Sequence, residues 1–252
     1  MDINIVNEFK SKWEKYFGNT NLPIVFWYDE KIPTDVHLVE RRKTWNCLIA
    51  ELARVRNGES LAFESDSVSC GGGKRYCGFS KQIRPDFDYF LSYGKQNELE
   101  GERYKKNPEI VNKVFNNTKF FDAAGKSLIF KRWDKLTIND NPQVVVFFAT
   151  PDVISGLYTL SNFDSETDTN VVAPFASGCG SVILHPLNEI ASRNPNAIIG
   201  MFDPSARPYM PKNTLSFAVP FNRFLQMIDN MDESFLITDS WAKIKKRIVS
   251  SD

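Results

Sequence analysis

Four cysteines are the side chains of this 252-residue chain best suited to chemistry: Cys47, Cys70, Cys77 and Cys179. Cys70 and Cys77 stand in Ser69-Cys70-Gly71-Gly72-Gly73-Lys74-Arg75-Tyr76-Cys77-Gly78-Phe79, and Cys179 stands between Gly178 and Gly180. Three of the four therefore adjoin a glycine, and small neighbours let a bulky group approach a thiolate. Four thiolates could hold zinc or an iron–sulfur cluster. The six-residue gap between Cys70 and Cys77 is neither the short knuckle of a structural zinc nor the tight run of a bacterial ferredoxin. Ligands scattered over separate elements suit a cluster in a larger domain better than a zinc ribbon. If Cys77 lay elsewhere, three cysteines would leave one iron open to substrate or solvent.

The glycine run offers a second chemistry. Gly71, Gly72 and Gly73 suit a turn with positive φ or a nest of N–H groups around an anion. Lys74 and Arg75 add positive charge, which would also favour a neighbouring thiolate. Arg207, in a turn-rich segment, could clamp an anion bidentately. The spacing fits no nucleotide motif. A P-loop needs a glycine where Val68 stands and Ser or Thr where Arg75 stands, and Tyr76 occupies the third glycine position of a dinucleotide fingerprint. A third chemistry is thiol catalysis. His37 and His185 are the only histidines, and neither comes with a third group that would mark a Cys–His pair.

Composition narrows the classes. Lys plus Arg equals Asp plus Glu at 31 each, which argues against a nucleic-acid footprint and against a polybasic membrane anchor. No apolar run reaches the length of a membrane span. No basic segment followed by an apolar one opens the chain, so no signal peptide is expected. These features predict a reducing cytosol, where cysteines are free, catalytic or metal-bound rather than paired.

The elements that must position these groups read as one α+β domain over residues 1–252, a mixed sheet with flanking helices, divisible into lobes 1–125 and 126–252. Helices are predicted over 3–17, 38–56, 151–160, 221–231 and 240–249, with others after Pro85 and Pro108. In helix 38–56, Trp45, Leu48, Ile49, Leu52 and Val55 form the apolar stripe, and Cys47 falls opposite with Lys43, Ala50 and Arg54. Strands are predicted over 22–28, 61–63, 127–133, 142–150, 197–202 and 215–219. The run 142–150 is apolar on both faces and so central. With the helix that follows, it resembles half of a βαβ crossover. The charged stretch 98–107 reads as solvated loop without function, and no internal repeat is evident.

Five segments in order carry a resemblance: Leu22-Pro23-Ile24-Val25, the helix with Cys47, Cys70-Gly71-Gly72-Gly73 leading to Gly78-Phe79, Val144 to Pro151, and Ser177-Gly178-Cys179. Together they resemble the uncharacterised domain-of-unknown-function family 169 of archaea and anaerobe-rich bacterial groups, over nearly the whole chain. The family pattern matches Cys47, Cys70 and Cys179. Its frequency in anaerobes is compatible with an oxygen-sensitive cluster.

Three readings follow. The first is a cytosolic protein binding a metal centre, iron–sulfur above zinc, through Cys47, Cys70, Cys179 and Cys77, with a redox partner or a small-molecule substrate. The second is a non-enzymatic module holding an anionic small molecule through Gly71, Gly72, Gly73, Lys74, Arg75 and Arg207, without a metal. The third is a cysteine-dependent enzyme.

Overall fold

In the computed structural model, which describes residues 1–41 and 46–250, an eight-stranded mixed sheet carries helices on both faces. The strands are β1 (Ile24–Asp29), β2 (His37–Leu38), β3 (Leu61–Phe63), β4 (Ser127–Arg132), β5 (Val144–Ala149), β6 (Val171–Val172), β7 (Ala197–Gly200) and β8 (Leu215–Pro220). Their spatial order is β2-β3-β4-β1-β5-β8-β7-β6. This is the α+β class expected from the sequence.

The wiring contains a duplication that the residue pattern does not reveal. In the first half β2 pairs parallel with β3, β3 antiparallel with β4, and β4 antiparallel with β1. In the second half β6 pairs parallel with β7, β7 antiparallel with β8, and β8 antiparallel with β5. The halves join where β1 meets β5 antiparallel, with Val25 opposite Val145. Each half thus contains one parallel crossover, and each crossover contains a helix. In the first it is α2 (Leu48–Arg56). In the second it is a run that begins at Gly178, is π-wound over Gly180–Leu184, and continues as α7 (His185–Glu189). The expected half-crossover after β5 is not one. Both neighbours of β5 are antiparallel, and the helix after it, α6 (Pro151–Ser161), leads to the edge strand β6.

Alternation along the strands divides the core between the two faces. Val25, Trp27, Ile129, Val145, Phe147 and Phe217 face one helical layer. That layer is α1 (Ile3–Phe17), α6, α8 (Phe221–Asn230) and α9 (Asp239–Ser250). α1 starts at Asp2, whose carboxylate accepts the Asn4 N–H at 2.9 Å, and it buries Val6, Phe9, Trp13, Tyr16 and Phe17. The helical spacing of those five side chains is what makes the helix readable in advance. Phe9 meets the Trp133 ring edge-on at 4.8 Å and Phe224 at 5.0 Å, geometries that aromatic quadrupoles favour.

Ile24, Phe26, Phe63, Leu128, Phe130, Val144 and Val146 face the other layer, built from α2 and the π-wound run. Between β3 and β4, residues 64–126 form an insertion that the second half lacks. It contains α3 (Gly71–Tyr76), α4 (Phe87–Phe90) and α5 (Pro108–Asn117).

Two expectations are corrected here. The helix predicted over 38–56 is shorter: Leu38 pairs with Ala62 in the sheet, and the helix starts at Leu48. Leu48, Ile49, Leu52 and Val55 are buried as the stripe requires, whereas Trp45 and Lys43 lie outside the described residues. The glycine run is not a positive-φ turn. Gly71, Gly72 and Gly73 form the first turn of α3, and the positive φ, +70°, falls at Gly78, which closes it.

Candidate functional site

Three of the cysteines stand at the start of a helical segment: Cys47 and Cys70 immediately precede one, and Cys179 is the second residue of the run that begins at Gly178. Cys47 precedes α2 with an extended backbone, and the N–H groups of Ala50 and Ile49 face its sulfur without forming a full cap bond. Cys70 caps α3, its Sγ accepting the Gly73 N–H at 3.4 Å. Cys179 precedes the π-wound segment. Local winding of this kind recurs at functional positions in other helices. Cys47 and Cys179 therefore both fall at the start of the crossover helices, Cys47 extended before the helix and Cys179 within its first turn, and Cys70 comes from the insertion.

All three line one cavity of about 590 Å³. A second depression of about 720 Å³ near Tyr89, Tyr93 and Lys95 contains no comparable set of groups. The fourth cysteine, Cys77, is fully buried at the C-terminal end of α3, behind the cavity wall rather than on it. The Tyr28 hydroxyl donates to the Cys77 carbonyl at 2.7 Å and ties that end of α3 to the sheet.

The cavity is electrostatically unfavourable for bare thiolates. Burial pushes the Cys179 thiol well above its ordinary range, and Cys77, Cys47, Cys70 and Asp203 push it further. Cys47 is also raised by burial. The N–H groups of Ala50 and Ile49 oppose that, while Cys70 and Asp203 add to it. The phenol of Tyr76, wedged beside Cys70 and Cys179, is pushed up to about 12, by burial first and against the effect of Ser177.

A polar clamp fixes two of the thiols relative to each other. Asn46 is 6% exposed. Its N–H donates to Ser69 Oγ at 2.7 Å, its Oδ1 accepts the Ser69 N–H at 3.2 Å and hydroxyl at 2.5 Å, and its Nδ2 donates to the Ser67 carbonyl at 3.3 Å. The residues immediately preceding Cys47 and Cys70 are thus locked together. Cys179 is brought in by close packing at Gly178, where a Cβ would lie 2.9 Å from Ile49 Cγ1 and 3.1 Å from Ala206 Cβ. Only glycine lets the second crossover approach α2 this closely. Ser177 Oγ then accepts the Gly180 N–H at 3.1 Å.

Of the residues expected to hold an anion, Gly71, Gly72 and Gly73 line the cavity; Lys74, Arg75 and Arg207 do not. The Arg75 guanidinium lies 3.8 Å over the Phe120 ring in a separate groove. Arg207 donates to the carbonyls of Thr214 and, at 2.6 Å, Lys212, bracing the turn before β8. Neither His37 nor His185 lines the cavity, so the thiols have no imidazole base there. The stretch 98–107 is corrected as well, because Glu102, Tyr104 and Lys105 form part of the wall. Sequence reasoning also missed Asn46, Tyr76 and Asp203. Asn46 and Ser69, each one residue before a cysteine, were the available signal.

Fold and site together define an α+β protein of duplicated strand wiring whose halves and insertion each contribute a thiol to one chamber. The family model of domain-of-unknown-function family 169 (DUF169), described as Uncharacterised ArCR, matches residues 23–230, and the chain belongs to that family. No curated protein and no solved structure matches it. Among the described residues, no helix is long and apolar enough to cross a membrane.

Proposed function

We propose that the cavity binds an iron–sulfur cluster through Cys47, Cys70 and Cys179, leaving one iron facing the chamber. The observation that carries this reading is the convergence of three cysteines from three separate helix starts on one cavity, with the fourth excluded from it. At a helix start, backbone N–H groups favour negative charge, and here sulfur occupies that position. Three sulfurs and the Asp203 carboxylate around one enclosed space favour a cationic occupant. Among the described residues, no three His, Cys, Asp or Glu side chains stand close enough to hold a single metal ion. A cluster brings its own bridging sulfides, so its thiolates stand wider apart than those around one zinc. When bound, the cluster would supply an electron and a Lewis-acidic iron. The chain supplies the three thiolates, the Asn46–Ser69 clamp that spaces two of them, and the Tyr76 hydroxyl as a proton donor at the wall. The reading assigns the protein to a reducing, oxygen-poor cytosol and implies a redox partner or a small-molecule substrate.

The test is iron, acid-labile sulfide and a visible spectrum on protein purified without oxygen. Cys70→Ser should lose most of the iron, and Cys77→Ala should keep it. Unchanged iron in Cys70→Ser, or colourless wild-type protein with four titratable thiols, overturns the reading. Zinc alone would point instead to a structural or hydrolytic centre. The thiol-enzyme alternative predicts one cysteine that alkylates far faster than the other three.

A further inference from the structure

Beyond its thiol floor the cavity changes character. Phe87, Phe90, Phe115 and Phe175 line its outer part, and Arg84 and Lys105 stand there too. The Arg84 guanidinium lies 4.7 Å over the Phe90 ring, and the Lys105 ammonium lies 4.9 Å over Phe175. Neither cation makes an ion pair with a described residue. Neither carboxylate lining the cavity, Asp203 or Glu102, lies within ion-pair distance of them. Asp203 accepts the Ser205 N–H at 3.0 Å and its hydroxyl at 2.9 Å, and Glu102 faces Tyr104. Phe175 belongs to the second half and is 53% exposed. The Tyr104 ring meets it edge-on at 6.0 Å, so the insertion and the second half close the chamber together.

We propose that this outer chamber binds a small amphipathic carboxylate, its apolar body against the phenylalanines and its anionic head between Arg84 and Lys105. A negative floor, apolar walls and unneutralised cations allow that orientation and oppose the reverse. The volume, about 590 Å³, falls within the range of small-molecule sites, roughly 300–1,000 Å³. The orientation rests on the proposed cluster; the preference for an anion does not.

The experiment is displacement of 8-anilinonaphthalene-1-sulfonate, an aromatic anion that fluoresces in apolar sites, from the full chain. Competitors are 3-phenylpropionate and the neutral 3-phenylpropan-1-ol, which share an apolar body. The carboxylate should compete at least about tenfold better, the factor expected of one hydrogen bond to a charged group. The double variant Arg84→Gln/Lys105→Gln should lose that preference with iron content unchanged. Equal competition by acid and alcohol in the wild type overturns the proposal, as does a preference that survives in the double variant. The same displacement on Cys70→Ser protein separates the two ideas. Loss of iron with the preference intact supports both, and unchanged iron with the preference intact removes only the cluster.

Discussion

Asn46 is a single side chain whose loss should affect the whole site. It is buried and holds Ser69 through backbone and side chain alike. Truncation in Asn46→Ala takes the side-chain partner from the Ser69 N–H and the Ser67 carbonyl, which costs about 1–3 kcal/mol. The spacing of Cys47 and Cys70 should loosen at the same time. The expected outcome is a lower urea midpoint together with reduced iron per chain. Retained iron at wild-type stoichiometry would show that the clamp is not needed for the centre. At this scale the cysteines were legible because their type limits what they do. The partners that set their geometry were not. Asn, Ser and Asp are ordinary loop residues until folding brings 46 to 69 and 179 to 203. Lys74, Arg75 and Arg207 lie off the cavity, and the two arginines have local partners that a charge pattern does not display: Phe120 and the Ser80 carbonyl for Arg75, the Lys212 and Thr214 carbonyls for Arg207.

Elements explain why the glycine run misled. Three consecutive glycines disfavour a helix by entropy, yet α3 forms because its ends are tied, by the Cys70 cap and by the Tyr28 bond to the Cys77 carbonyl. Tertiary contacts override propensity in so short a helix. α1 was readable because its apolar side chains alone determine it. The approach of the second crossover to α2 gives a direct test. Gly178→Ala places a methyl against Ile49 and Ala206, and the strain from such overpacking is typically about 1–3 kcal/mol. Thermal unfolding should report that loss, and alkylation should report greater exposure of Cys179. A different contact makes one helix pair pH-sensitive. Asp164, just past α6, is held down to about 2, first by Arg223 on α8 and further by Asn230, against the effect of its partial burial. Arg223 reaches both carboxylate oxygens, at 2.5 and 2.8 Å. The contribution is whole above the ordinary aspartate value of about 4 and vanishes as pH falls through about 2. Asp164→Asn should flatten the fall in stability across that window in urea titrations.

At the scale of the molecule, the sheet crosses both halves without interruption, and α1, α6, α8 and α9 cover one face of it. Unfolding should therefore be a single transition, with tryptophan fluorescence and far-ultraviolet circular dichroism superimposing. Separate midpoints would instead show that the halves melt independently. Within β4, Lys131 is fully buried and meets Asp140 at 3.0 Å and Asp35 at 2.7 Å. Asp140→Ala should cost about 3 kcal/mol, the lower end for a broken buried pair because Asp35 remains, and Lys131→Met should cost at least as much, because it leaves the buried Asp140 carboxylate uncompensated. The α+β class and the central place of β5 were visible in advance from apolar runs. The duplication was not, because it lies in strand order and direction, which unrelated side chains can satisfy equally well.

The wiring has a stereochemical consequence. Cys47 and Cys179 stand in the two crossovers related by the duplication, whereas Cys70 belongs to a segment that only one half possesses. A centre held there as proposed would have unlike surroundings on its different sides. The insertion also supplies part of the chamber wall, Glu102, Tyr104 and Lys105 among it, so a guest would meet unlike side chains on its two sides. For a prochiral molecule bound there, the two faces would not be equivalent.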